Sequence, residues 1–466
     1  MGEMKIPHDM FYGASTQRAV ENFPVSFWRM PSSFIHSLGY LKACCAIVNK
    51  KLKILDPRAA LAIENAAFEV ALGQHDQHFV VDVFQTGSGT STNMNANEVI
   101  AHIANRAAGF HASDRNDRVH PNDHVNLGQS SNDVIPSVIH ISAYVEIVTK
   151  LVPHLKSLHL SLEKKSKEFK DIVKIGRTHL QDATPITLGQ ELSGYAAQIS
   201  NCIARIESTY PRLSELPLGG TAVGTGINTH PQFSKLVCEE LNRILSRHCE
   251  AADSSNLFHF HEAKNHFEAQ ASKDTCLEVS GALKTLAASL TKIANDIRWL
   301  SSGPRCGFGE IEIPATQPGS SIMPGKVNPV IAESVLQVCA QVIGNDAAIT
   351  VGAQAGNFEL NVMMPMIACN LLNSIKLLSN VVFIFKTKCI DGIKANKNVC
   401  ENTIEKSLAL CTALVPHIGY DKAAELAKRA YKTGKTIRQI CIEEKVLDKN
   451  TLAKALDPRA MLKPLK

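Results

Sequence analysis

The chain has 466 residues, 45% hydrophobic and 20% charged, with 49 Lys and Arg against 44 Asp and Glu for a net charge of +5. That length implies about three domains, suffices for a core without disulfides or a structural metal, and with this apolar content excludes a disordered chain. Positive and negative residues are interleaved, so the basic stripe of a nucleic-acid binder is absent. No run approaches the ~18 apolar residues of a membrane span.

Taken in chain order, the first ten residues carry Glu3, Pro7 and Asp9 before any long apolar run, unlike a signal or transit peptide, so a soluble cytoplasmic protein is the default expectation. His75 and His78 read as surface residues, as do His259, His261 and His266, because His261-Glu262 lacks a histidine at i+4 and so does not form a zinc face. Apolar residues from Ile141 through Val145, Val148, Leu155 and Leu158 to Leu162 step by three and four and predict one long helix. A second runs from Leu188 to Ile206 and stops before Pro211, and a third from Val279 to Leu300 ends near Gly303-Pro304. Two more are expected from Pro329 to Ile343 and from Met366 to Lys386. This pattern predicts a mainly α fold in three parts: a mixed N-terminal part (1–128), an elongated central helical bundle (129–392) and a small C-terminal helical part (393–466). The thirteen cysteines are scattered without a C-x-x-C pair, so they are expected to be buried, reduced residues.

Four loops rich in Ser, Thr, Asn and Gly separate these helices, and each is expected to lead into a helix: Gln85–Asn93, Gln129–Asp133, Gly176–Pro185 and Gly319–Pro329. Thr184-Pro185 and Asn328-Pro329 read as an N-cap followed by proline at the first helical position. Helix N-termini offer free N–H groups and partial positive charge, so several converging ends would suit a small dicarboxylate. Taken singly, each loop is better explained by capping. Gly319–Lys326 has one residue too many between its glycines for a phosphate loop, and Val327 stands where Ser or Thr would be needed.

The fourth loop, Gly319-Ser320-Ser321-Ile322-Met323-Pro324-Gly325-Lys326-Val327-Asn328-Pro329, resembles the signature loop of the fumarase/aspartase superfamily. Thr86–Asn95, His120–Asp123, Ser130–Asp133, Gly176–Asp182, Lys292–Leu300, Gly356–Asn361 and His417–Lys422 resemble class II fumarases in the same order. His179 and Gly325 fit the fumarase branch, where aspartases usually have Gln and Ala. The resemblance implies reversible hydration of fumarate to L-malate in the tricarboxylic acid cycle, with no cofactor and no metal. It implies Ser320 as the base that takes a proton from carbon, and His179 with Glu333 handling the water. Lys326, Val327 and Asn328 then lie at the carboxylate whose charge grows, and Ser88, Gly89, Thr90, Ser130, Ser131, Asn132, Thr178 and Ser321 bind the substrate. His120, Pro121, Asn122 and Asp123 correspond to a second anion site, for which a simple turn is the competing reading. The family's site is built from three chains of a homotetramer, so the implied partners are a dicarboxylate and further copies of the chain, with neither nucleic acid nor membrane. Aspartate ammonia-lyase activity, or an inactive structural homologue like some lens crystallins, are the alternatives. Two departures stand out: roughly ten extra residues between Ser246 and His266, which a surface loop tolerates, and Asp117 where some members have Arg.

Overall fold

The computed structural model describes residues 3–108, 118–248 and 257–464. Asp117 and residues 249–256, within the Ser246–His266 stretch noted above, lie outside the described residues. Helices of nine or more residues are α1 (Ala14–Asn22), α2 (Ser32–Lys51), α3 (Pro57–Ala71), α4 (Thr90–Ala107), α5 (Ser131–Glu146), α6 (Val152–Glu168), α7 (Leu188–Glu207), α8 (Phe233–His248), α9 (Asp274–Leu300), α10 (Val330–Ala353), α11 (Met364–Lys388) and α12 (Tyr420–Thr433). The fold is mainly α, as the apolar periodicity predicts; the strands described form only two-stranded pairs. A wide turn, Ile147–Leu151, joins α5 to α6 and carries the predicted apolar series through without a break. The helix expected to end at Ile343 continues to Ala353.

The chain divides into two compact units. The first takes Met1–Pro153, Ile203–Ala287 and Val338–Asn380; the second takes His154–Cys202, Ala288–Gln337 and Val381–Lys466. In the first unit, Phe34, Leu38 and Leu41 of α2, Ile63 of α3, Ile100 of α4 and Ile135 of α5 are fully buried. The chain leaving residues 249–256 is fixed there too. Phe258 and Phe260 are buried against Tyr144, and Asn242 exchanges two hydrogen bonds with the Phe260 backbone. In the second unit, Val173 and Ile175 share a core with Leu410, Leu414, Ile437 and Ile440 of the C-terminal helices.

Three expectations change. The third loop does not lead into a helix. Val173–Thr178 (β1) and Gln181–Thr187 (β2) pair as an antiparallel hairpin, and Pro185 sits within β2 opposite Ile175. Proline is tolerated in a two-stranded sheet, where its missing N–H is not needed by a third strand. The cap of α7 is Thr187, which exchanges hydrogen bonds with Gln190 at 2.9 and 3.0 Å, so Thr184 is not an N-cap. His78 is not a surface residue. It is 4% exposed and stacks on Phe11 at 4.0 Å, while His102 stacks on the same ring at 4.5 Å. Finally, the stretches Ser131–Glu168, Val330–Ala353 and Met364–Gly392 are long and apolar enough to span a bilayer by length and composition, because scattered small polar residues interrupt the runs without lowering mean hydropathy much. The first is mostly buried within the chain and the third largely so, whereas only 39% of the apolar window in Val330–Ala353 is buried.

Ten of the twelve described cysteines are buried, and none of the twelve is in a disulfide. Burial also sets an acid sensitivity. His140 on α5 donates from Nδ1 to the Glu215 carbonyl at 2.8 Å, and desolvation, reinforced by nearby Lys273, pushes its imidazole down to about 4. An unfolded histidine titrates near ~6.5. Between these values the unfolded chain holds a proton that the folded chain does not, so stability is complete above the unfolded value and is lost as pH falls toward 4. His140→Asn keeps the donor to Glu215. It is expected to remove about 3 kcal/mol of that loss, read as a flatter dependence of urea-unfolding stability on pH.

Candidate active site

In the first unit, two helix starts lie side by side. Gly89 begins α4 in the left-handed region (φ 73°), and a Cβ there would come 2.9 Å from the Ile135 side chain on α5, so only glycine permits the approach. Gln85 caps α4 from outside, its Oε1 accepting from both N and Oγ1 of Thr92 at 2.9 Å. Ser88 and Thr90 share a hydrogen bond of 2.8 Å between their hydroxyls. Ser130 caps α5: its Oγ accepts from Asn132 N at 3.2 Å, and Asp133 accepts from Ser130 N at 2.9 Å. Asn93 on α4 donates to Ser131 Oγ at 3.2 Å, tying the two starts together. Asn132 donates to the Ala222 carbonyl at 2.8 Å. The predicted residues Ser88, Gly89, Thr90, Ser130, Ser131 and Asn132 are therefore grouped at two adjacent positive helix ends, the arrangement an anion favours.

His120, Pro121, Asn122 and Asp123 also lie in this unit, and they form a turn. Pro121–Val125 is one wide helical turn, and His120 Nδ1 accepts from Asp123 N at 3.2 Å. His120 and Asp123 are exposed, with Nδ1 3.1 Å from Oδ2. The turn reading and the anion-site reading are thus both compatible with the local geometry.

In the second unit, Gly319 and Asn328 close the signature loop. Gly319 N donates to the Lys326 carbonyl at 2.8 Å, and Asn328 Nδ2 donates to the Gly319 carbonyl at 2.7 Å. A Cβ on Gly319 would sit 2.5 Å from the Lys326 carbonyl oxygen, so the closure needs glycine. Asn328 spends its side chain on this closure and not on capping α10, which starts at Val330, as had been expected of the Asn328-Pro329 pair. Within the loop, Ser320 Oγ accepts from the N–H groups of Ile322 (3.2 Å) and Met323 (3.1 Å). Two backbone donors on one hydroxyl oxygen favour negative charge there.

Lys326, Val327, Asn328 and Glu333 line one cavity of about 640 Å³. Sequence reasoning missed the rest of its wall, which includes Asn295, Arg298, Trp299 and Glu312. Arg298 Nη1 donates to Asn295 Oδ1 at 2.9 Å, and Arg298 lines the same cavity as Lys326. The signal available was the Lys292–Leu300 resemblance, from which no site residue was chosen. Ser320 and Ser321 are in the adjoining loop but not on this wall.

Thr178 and His179 stand at the hairpin tip. His179 (φ 57°) and Leu180 (φ 62°) are the two residues between the Thr178–Gln181 pair, both left-handed although neither is glycine. This is the backbone of a tight hairpin turn, held by non-glycine residues at a conformational cost of order 1–3 kcal/mol each. The base of the hairpin supplies the constraint. Arg177 donates to Glu310 at 2.7 Å and lies 4.4 Å over the Phe308 ring, and Lys174 is 3.0 Å from both Glu310 and Glu191. The guanidinium of Arg177 is pulled down by burial, but the bond and charge of Glu310 outweigh this and hold its pKa above the ordinary value. Among the described residues, no hydrogen bond or ion pair within one chain joins exposed His179 to Glu333.

A family model described as lyase matches residues 2–344, and one described as fumarase C C-terminus matches residues 410–463. The chain is 50% identical over 461 residues to the class II fumarate hydratase of Xylella fastidiosa, covering 99% of this chain and 94% of that one. The chain belongs to the class II fumarate hydratase family. Fumarate hydratase, mitochondrial, from Saccharomyces cerevisiae is 49% identical over 465 residues, covering 99% of this chain and 93% of that one. The crystal structure of class II fumarase from Schistosoma mansoni superimposes with a TM-score of 0.94 at 41% identity, covering 99% and 98% of the two chains.

Proposed function

We propose that this chain catalyses the reversible hydration of fumarate to L-malate, as in the tricarboxylic acid cycle, with the roles that the resemblance implies. The observation that carries the reading is Ser320, whose Oγ faces two backbone N–H donors. A serine hydroxyl is a poor base, and two donors lower the cost of its alkoxide. Starting from L-malate, Ser320 takes the proton from the carbon next to a carboxylate. Charge grows on that carboxylate, and Lys326 and Asn328 stabilise it, with Arg298 adding positive potential from the same wall. The C–O bond at the neighbouring carbon then breaks, and the leaving hydroxide departs as water with a proton from His179, which Glu333 orients. Ser88, Gly89, Thr90, Ser130, Ser131, Asn132, Thr178, Ser321 and Val327 hold the dicarboxylate, and His120–Asp123 form a second anion site.

The reading includes a homotetramer whose sites draw on three chains. The incomplete burial of the apolar Val330–Ala353 helix, and the exposure of Ile322 (83%) and Phe358 (92%), support it. So does the absence, among the described contacts of one chain, of a bond between His179 and Glu333. The described cysteines form no disulfide, which suits a reducing compartment, and we assign the cytoplasm.

The test is fumarate formation from L-malate, followed by ultraviolet absorbance, with L-aspartate in parallel and a chelator in a third arm. Turnover of malate alone, unaffected by chelation, is expected. No turnover of malate overturns the reading, turnover of aspartate replaces it, and loss on chelation requires a metal centre. In the same assay, His179→Asn is expected to lower kcat by about 10²-fold or more through loss of acid catalysis, with chain assembly unchanged by light scattering.

A further inference from the structure

Lys42 on α2 is fully buried, an unusual place for a lysine. Its Nζ donates to Asn126 Oδ1 and to Gln129 Oε1, both at 2.9 Å. The same Asn126 oxygen also accepts from Asn93 and Asn97 of α4, each at 3.2 Å. Asn126 Nδ2 closes the turn by donating to the Gln129 carbonyl at 3.1 Å, and Ser130, the cap of α5, follows directly. Asn93 in turn donates to Ser131 Oγ. One ammonium group therefore sits where α2, α4 and the turn before α5 meet.

We propose that Lys42 is a positioning residue, fixing the two helix starts that carry Ser88–Thr90 and Ser130–Asn132. The inference rests on the fumarate hydratase reading for what those starts bind. The node is rich in acceptors: the side-chain oxygens of Asn49, Asn93 and Asn97 are buried without a donor. Without Lys42, Gln129 Oε1 would join them, and each such orphan is costly. An apolar side chain of the same length would fill the space at lower desolvation cost, so the ammonium is retained for its bonds.

The titratable groups facing it are Cys45 on its own helix, whose thiol burial pushes up and keeps protonated, and Asp133 on α5; α4 and the 126–129 turn present neutral amides. Burial pulls Lys42 down to about 8, against partial compensation from these two groups.

The test is Lys42→Met in the full chain, with three readouts. Hydrogen exchange is expected to speed up in residues 86–93 and 126–132 and not elsewhere. KM for L-malate should rise by about tenfold with kcat within about threefold, because the groups misplaced bind substrate and transition state alike. In the unaltered chain KM should rise as pH passes 8, and in the variant that rise should be absent. Should Lys42→Met not fold, Gln129→Leu removes one of the two acceptors. It is expected to give a smaller KM rise and to move the alkaline limb to lower pH, since the charged amine loses a stabilising bond. Unchanged exchange in both segments overturns the proposal. Faster exchange with KM and its pH dependence unaltered also overturns it, leaving a structural role only. If the unaltered chain does not turn over malate, the reading of the reaction fails, while the exchange comparison still decides whether Lys42 fixes the two helix starts.

Discussion

Ser320→Ala is expected to lower kcat for malate dehydration by about 10²–10⁴-fold, the range over which a positioned base contributes, while KM stays within about threefold. The asymmetry follows from the assigned role. A base at carbon acts only as the C–H bond breaks, so its loss is felt in the transition state and not in ground-state binding. The variant should fold normally. The loop is exposed, with Ile322 83% accessible, so water can accept from the two N–H groups that Ser320 releases. Unfolding free energy is therefore expected to stay within about 0.5 kcal/mol of the parent. A kcat within threefold of the parent would remove Ser320 from the role of base. A rise in KM matching the fall in kcat/KM would make it a binding residue instead. Lys326→Met gives the contrast: in the proposed role it meets a carboxylate that is bound in the ground state and gains charge in the transition state, so KM should rise and kcat should fall.

The sequence and the structure part company at identifiable places. Long helices are legible because a 3.6-residue period repeats over many turns, and Ile141–Leu162, Leu188–Ile206 and Val279–Leu300 all lie within helices or the wide turn joining two of them. The hairpin is not legible. Its strands are short, a bulge between Ile175 and Arg177 breaks the alternation, and Thr184-Pro185 imitates a helix start. Its turn carries His179-Leu180 instead of the Asn-Gly or Asp-Gly pair that marks such turns in sequence. The buried cations are hidden for a different reason. Lys42 and Lys174 look like any other lysine until their partners, 84 and 136 residues downstream, fold around them. Of the candidate site, the first, second and fourth polar loops were readable as leading into helices, but Arg298 and Asn295 sit on a helix whose apolar face dominates the pattern.

The hairpin base yields the second large expected effect, on stability as well as activity. Glu310 and Lys174 each expose 1% of their side chains, and Arg177 exposes 17%. Glu310→Ala leaves two cations facing a dry space, with Glu191, 3.0 Å from Lys174, and Asp182, opposite Arg177, left to balance them. Burial already holds the Glu191 carboxyl above its usual range, against the pull of Lys174, so its charge is weakly supported. Removing one partner of such a cluster costs about 3–5 kcal/mol, read as a lower urea midpoint at fixed protein concentration, since assembly would otherwise shift the apparent value. Lys174→Met in the Glu310→Ala background should recover part of this loss, because the unpaired charge is then gone; strict additivity of the two changes would show that no coupling exists. Activity reads the same cluster differently. The left-handed His179-Leu180 tip is held only while the strands beneath it are fixed. With Arg177 released, the tip is expected to relax toward ordinary backbone angles. kcat should then fall well below what the folded fraction alone predicts, at a temperature where the variant remains folded by circular dichroism. Equal losses in kcat and folded fraction would assign the cluster to stability alone.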